Sequence, residues 1–76
     1  ILKISPNPAK NQFNVSGLKQ GTVNYIQVTD LNGQTIVKKN SSNSTETIDI
    51  SGFSKGMYMV TIHCGSETKS FKLVKE

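Results

Sequence analysis

Arginine and tryptophan are absent from the 76 residues, and cysteine and histidine occur once each. Each shortage removes a class of function. Without arginine, the formal net charge of +4 rests on nine lysines, which lack the planar fork used for phosphate and base-edge recognition. They are scattered from Lys3 to Lys75 with no interleaved aromatics to stack on bases, so no nucleic-acid partner is expected. Cys64 has no second cysteine with which to close an internal disulfide. One His and one Cys fall short of the roughly four ligands of a closed zinc site. Asp30, Glu46, Asp49 and Glu67 are too dispersed for a calcium loop, and no metal or cofactor is expected. No apolar run approaches the roughly 20 residues of a transmembrane helix. The chain opens at Ile1 without Met and without a charged-then-apolar leader, and reads as a piece of a longer protein, so that the absence of a leader here says nothing about compartment.

What is present is alternation. Apolar residues recur with a period near two, and no window carries three turns of helical spacing. Leu2 and Ile4 alternate until Ser5-Pro6-Asn7-Pro8, where two prolines remove ladder donors. Phe13 and Val15 form a second short strand that ends at Gly17. From Thr22 to Asp30, Val23 and Tyr25 share one phase and Ile26 and Val28 the other, which predicts a central strand that changes face at a bulge or is buried on both sides. Asp30-Leu31-Asn32-Gly33 has the chemistry of a type I turn closing into a glycine bulge, with Gln34–Lys39 returning. Asn40–Thr45 reads as a mobile polar loop, and Thr47–Ser51 as a strand. Phe53 is expected to plug the following corner. Met57–Cys64 is the longest alternation, with Tyr58, Val60, Ile62 and Cys64 on one face. Gly65-Ser66 suits a two-residue hairpin, and the last strand carries Phe71, Leu73 and Val74. The expected fold class is all-β, a small immunoglobulin-like β-sandwich of about seven short antiparallel strands filling one domain, residues 1–76.

Catalysis finds no support in this pattern. His63 and Cys64 are neighbours on a strand and point to opposite faces, so they cannot form a nucleophile–base pair. Cys64 falls in core phase, as a buried structural thiol would, and His63 on the surface. The Asp30–Gly33 stretch is accounted for by a turn rather than by a cation loop. A chain this short has little room for a cleft holding paired carboxylates.

Four groups of residues in order, Ser5-Pro6-Asn7-Pro8, Val28-Thr29-Asp30-Leu31-Asn32-Gly33, Gly56-Met57-Tyr58 and Lys72-Leu73-Val74-Lys75, resemble the C-terminal sorting domain of the type IX (Por) secretion system, type A. The resemblance covers essentially the whole chain. It implies a non-catalytic secretion signal behind an N-terminal cargo domain in the same chain, carrying that cargo from the periplasm of a Gram-negative bacterium across the outer membrane to the cell surface or medium. The implied partners are an outer-membrane translocon, a shuttle protein and a sortase-like cell-surface protease, which commonly removes the domain at a point upstream of its fold and attaches the cargo to the surface. The family often has an aromatic residue before Pro-Asn-Pro, where this chain has Ser5.

The candidate recognition residues are Pro6, Asn7, Pro8, Asp30, Gly33, Gly56, Tyr58, Lys72, Leu73, Val74 and Lys75. Gly33 and Gly56 suit backbone conformations that a side chain would penalise, the prolines fix how the chain enters the fold, and Tyr58 combines an apolar body with a polar tip. Leu73–Lys75, on a terminal strand at a sheet edge, are the expected point of direct recognition by strand addition. An edge strand in so small a sandwich can also pair or swap between two copies. The alternative reading is an immunoglobulin-like adhesive or carbohydrate-binding module of a secreted enzyme, which would need an exposed aromatic platform.

Overall fold

The computed structural model describes residues 2–76, and among them are seven strands and no helix. These are β1 (Lys3–Ser5), β2 (Gln12–Ser16), β3 (Asn24–Thr29), β4 (Thr35–Ser41), β5 (Thr45–Asp49), β6 (Gly56–Cys64) and β7 (Glu67–Lys75). They pair antiparallel into a three-stranded sheet of order β1-β2-β5 and a four-stranded sheet of order β4-β3-β6-β7. This is an immunoglobulin-like connectivity in which the fourth strand pairs with the third rather than the fifth.

The alternation selects the inner faces. β2 contributes Phe13 and Val15, β5 Ile48, β3 Ile26 and Val28, β7 Leu73, and β6 the run Tyr58, Val60, Ile62 and Cys64, all buried. Leu2, Ala9, Leu18 and Ile50 close the ends, and Phe53 packs against the core at its corner. Each large side chain removed from water contributes about 1.5–3 kcal/mol, which is how so thin a core holds two sheets together.

Both hairpin turns follow their residue chemistry. At the β3–β4 turn the Gly33 N–H donates to the Asp30 carbonyl at 3.1 Å and the Asp30 N–H to the Gln34 carbonyl at 3.0 Å. Gly33 carries φ +84°, the left-handed residue of a glycine bulge. The Asp30 carboxylate accepts the N–H groups of Asn32 and Gln34 at 2.9 and 3.0 Å, so it is engaged in holding the turn. Gly65 carries φ +63° and no non-glycine residue has positive φ among the described residues. The Gly65-Ser66 link between β6 and β7 is therefore of the type II′ kind.

Three expectations are corrected. β3 does not change face: Val23 precedes the strand and is 70% exposed, while Asn24, Ile26 and Val28 all point inward. Tyr25 lies on the outer side, its ring 5.7 Å from that of His63. The irregularity sits in the partner strand, where the register steps from Val37 to Thr35 and leaves Ile36 as the extra residue. Asn24 can occupy an inward position because the two hydrogens of its Nδ2 are shared among the carbonyls of Lys19, Thr22 and Ser41 at 3.0, 3.1 and 3.0 Å, while its Oδ1 has no protein partner among the described residues.

Second, half of the stretch expected to be a mobile polar loop is strand. Asn40 and Ser41 end β4 and Thr45 begins β5. The short connection that remains is tied down by Leu18 N–H to the Ser44 carbonyl at 3.1 Å and Gly21 N–H to the Ser42 carbonyl at 2.8 Å. Across this corner Lys39 Nζ lies 2.9 Å from Glu46 Oε2. A hydrogen bond from Ser41 and the contact with Lys39 hold the Glu46 carboxyl below its ordinary value of 4.5. Third, β5 is shifted toward the N-terminus of its predicted span and ends at Asp49, whose carboxylate accepts the Ser51 N–H at 2.9 Å.

Ile62→Ala is expected to cost about 2–5 kcal/mol in urea unfolding, the range for an emptied core position. The lowered Glu46 pKa contributes stability that is complete above the ordinary value of 4.5 and is lost as pH falls through the folded value. Glu46→Gln should therefore cost roughly 0.2–1 kcal/mol at neutral pH, and the difference from wild type should vanish on the acid side of that transition.

Candidate functional site

The four sequence motifs converge on one end of the four-stranded sheet. The end of β3, the start of β4, the start of β6 and the end of β7 lie side by side, through the register Thr35–Thr29–Met59–Lys72. Gly56 and Tyr58 face Lys75 and Leu73 across the β6–β7 ladder. What remains is to explain how the Pro-Asn-Pro stretch reaches the same corner.

β1 pairs with β2 as far as Ser5, opposite Asn14. Pro6 has no N–H with which to continue, and the chain leaves the three-stranded sheet there. The Ser5–Pro6 and Asn7–Pro8 peptide bonds are both cis. The segment then crosses to the open side of β7, where Ala9 and Lys75 form a parallel bridge. Ala9 N–H donates to the Val74 carbonyl and Glu76 N–H to the Ala9 carbonyl, each at 2.8 Å. Asn7 extends this pairing with its side chain: Nδ2 donates to the Lys72 carbonyl at 2.7 Å and Oδ1 accepts the Val74 N–H at 3.0 Å. A carboxamide presents a donor and an acceptor like those of a peptide group. Asn7 thus acts as a strand residue between two prolines that cannot donate.

The candidate residues separate by burial. Pro6, Asn7, Pro8, Gly33, Gly56 and Lys72 are exposed, Asp30 and Val74 half-buried, and Tyr58, Leu73 and Lys75 buried. Tyr58 is a structural strut. Its hydroxyl donates to the Ser54 carbonyl at 2.6 Å, the pattern of a tyrosine corner, and its ring lies 5.2 Å from that of Phe53. Gly56, at φ +144°, starts β6 in a conformation that side chains rarely adopt. Lys75 buries its stem in core phase and donates from Nζ to the Glu76 carbonyl at 2.9 Å.

The expectation of strand addition at Leu73–Lys75 needs correction. β7 is indeed a sheet edge, but over these residues the edge is already taken by Asn7 and Ala9, and the Leu73 side chain is wholly inside. The sequence reading also missed Ala9, Glu76 and Asn24. Ala9 is fully buried, and its place directly after Pro8 was the available signal.

Beside this corner an open groove runs past Pro6, Pro8, Lys10, Asn14 and Glu76. Its lining of amides, prolines and two exposed ions pairs no nucleophile with a base. Cys64 is buried, whereas His63 is exposed with Nδ1 3.1 Å from the Thr68 hydroxyl.

A family model described as the secretion system C-terminal sorting domain matches residues 3–76. No curated protein matches the chain. Among solved structures, the chain is similar to part of PorZ, described as an essential bacterial surface component of the type-IX secretion system of Porphyromonas gingivalis. That likeness has a TM-score of 0.75 at 16% identity and covers 99% of this chain and 11% of that one. At this identity it bears on the fold, and the chain corresponds to a small part of that protein's length.

Asn7→Ala should free the Val74 N–H and lower local stability by roughly 0.5–1.5 kcal/mol. Amide hydrogen exchange is expected to quicken at Val74 and to stay unchanged at Leu73, whose amide faces β6.

Proposed function

The chain belongs to the family of secretion system C-terminal sorting domains, and from that premise we propose how its fold serves as the signal. As a type IX sorting domain it directs the protein that carries it across the outer membrane, to the cell surface or the medium. In our reading it is non-catalytic, and the corner where Pro6–Ala9 lies along β7 is the part presented to the secretion machinery. The observation that supports this is the convergence of motifs 67 positions apart into one hydrogen-bonded unit. Pro6, Asn7, Pro8 and Lys72 form its exposed surface. Gly33, Gly56, Tyr58 and Leu73 act by shaping the backbone and core beneath it.

The finer partners belong to the same proposal: a cargo domain N-terminal to this one, an outer-membrane translocon, a shuttle protein, and a sortase-like protease that removes the domain and attaches the cargo. The adhesive or carbohydrate-binding alternative gains no support, because none of the five aromatic side chains is exposed and a sugar-binding platform needs open rings.

A periplasmic reporter fused ahead of residues 1–76, in a host with the system, should reach the cell surface or medium. Retention of the reporter in the periplasm would sink the proposal. Removing Lys72–Glu76 takes away both the Leu73 anchor and the partners of Asn7 and Ala9, and should stop export with reporter synthesis intact. Immunoblots of periplasm, surface and medium report both outcomes.

A further inference from the structure

β7 has a closed half and an open half. Along a strand, the backbone groups of alternate residues face the same side. On the outer side the Lys72 carbonyl, both groups of Val74 and the Glu76 N–H are bonded to Asn7 and Ala9. By the same alternation Thr68 and Ser70, together with the Lys72 N–H, face outward on the half that the Pro-Asn-Pro segment does not reach. Among the described residues no strand pairs there, and every residue from Glu67 to Ser70 is exposed.

We propose that this open half, Thr68 to Lys72, is the docking edge for an extended acidic segment of a partner protein, which adds a fifth strand to the four-stranded sheet. The proposal rests on the sorting reading and specifies the contact that the signal makes. Of the four edges this one is suited to the task. β7 runs nine residues in unbroken register with β6. β4 is interrupted by the Ile36 bulge, a device that blunts an edge. β1 and β5 have only three and five residues. The plug at Asn7 also sets a boundary, since it stops an incoming strand from extending beyond Lys72.

Charge identifies the occupant. Lys69 and Lys72 are exposed on this half, and neither takes part in an ion pair among the described residues. Glu67, at the hairpin end, is the single acid of β7. A second copy of the chain, pairing antiparallel about Ser70, would set Lys69 opposite Phe71 and Lys72 opposite Thr68, and so would bring no acid to face either lysine. An acidic strand can set a carboxylate opposite each lysine, and cross-strand opposite charges are favourable.

The test uses the reporter fusion. Ser70→Pro removes an outward N–H that the fold does not use, a substitution tolerated on a free edge. Ser70→Ala controls for the hydroxyl, which lies 3.3 Å from that of Thr61. Export is expected to fall by about tenfold or more with Ser70→Pro and to be unchanged with Ser70→Ala. The thermal midpoint of the purified chain should stay within about 4 °C of wild type. Thr68→Pro replaces Ser70→Pro should the latter unfold. The Lys69→Glu/Lys72→Glu pair should lower export comparably. Normal export by the folded proline variant would overturn the docking edge while leaving the sorting function standing. Normal export by the double glutamate variant would overturn the acidic partner. A wild-type dimer in light scattering that Ser70→Pro disperses would make the occupant a second copy and would equally overturn it. A wild-type fusion that stays in the periplasm would remove the sorting reading and this inference with it.

Discussion

Every peptide group at the rim of a sheet must be bonded or hydrated, and a sandwich of two open sheets has four rims. In this domain the treatment of those rims organises the whole molecule. The edges at β1 and β5 are short, and the edge at β4 is bulged at Ile36 and carries Lys38 and Lys39. β7 is long and straight, and half of it is covered by a piece of chain from the opposite end of the sequence. The covering segment is built from residues that would be poor strand formers anywhere else. Two prolines supply no donors, and the asparagine between them contributes its side chain in place of a peptide group. That arrangement lets β1 belong to one sheet and Ala9 to the other, so the segment from Pro6 to Pro8 joins the two layers at the end where the motifs gather.

One consequence is that the motif corner is a tertiary object. Asn7 has its partners only when β7 is in register on β6, and β7 is in register only when Leu73 is seated opposite Tyr58 in the core. Tyr58 in turn is held by Ser54 and Phe53. The chain from a glycine at φ +144° through a buried tyrosine to an exposed asparagine is one set of mutually dependent contacts. A surface assembled this way presents itself only on a folded domain, which distinguishes it from a linear peptide tag.

How much of this is legible in the sequence depends on what kind of physics sets each feature. The alternation from Tyr58 to Cys64 and the Asp30–Gly33 turn were readable because local rules decide them: period two for a half-buried strand, and left-handed glycine for the bulge. Asn24 was not, because an apolar-or-polar rhythm cannot register a polar side chain whose donors are met by three carbonyls inside the protein. Val23 misled for the converse reason, since an exposed valine just outside a strand looks like part of its pattern. Asn40, Ser41 and Thr45 have loop composition, yet a ladder partner overrides propensity wherever one is available. The resemblance named the residues of the candidate site without their contacts. A bond between Asn7 and Val74 joins positions that no local rule connects.

Burial then sorts the motif residues in a way that sequence alone could not. Losing Leu73 or Tyr58 empties part of the core, so any failure of export that followed would be indistinguishable from a failure to fold. Pro6, Pro8 and Lys72 are exposed, and replacing the Lys72 side chain should move stability by less than about 0.5 kcal/mol, whereas the prolines also steer the backbone between the sheets. Asn7 stands between the two classes, exposed yet bonded to the backbone at both ends of its amide. A motif that sets the fold and a motif that makes a contact look alike as strings of letters. In this domain they are adjacent layers of one corner, with the buried layer from β6 and β7 setting the position of the exposed layer from Pro6 to Pro8.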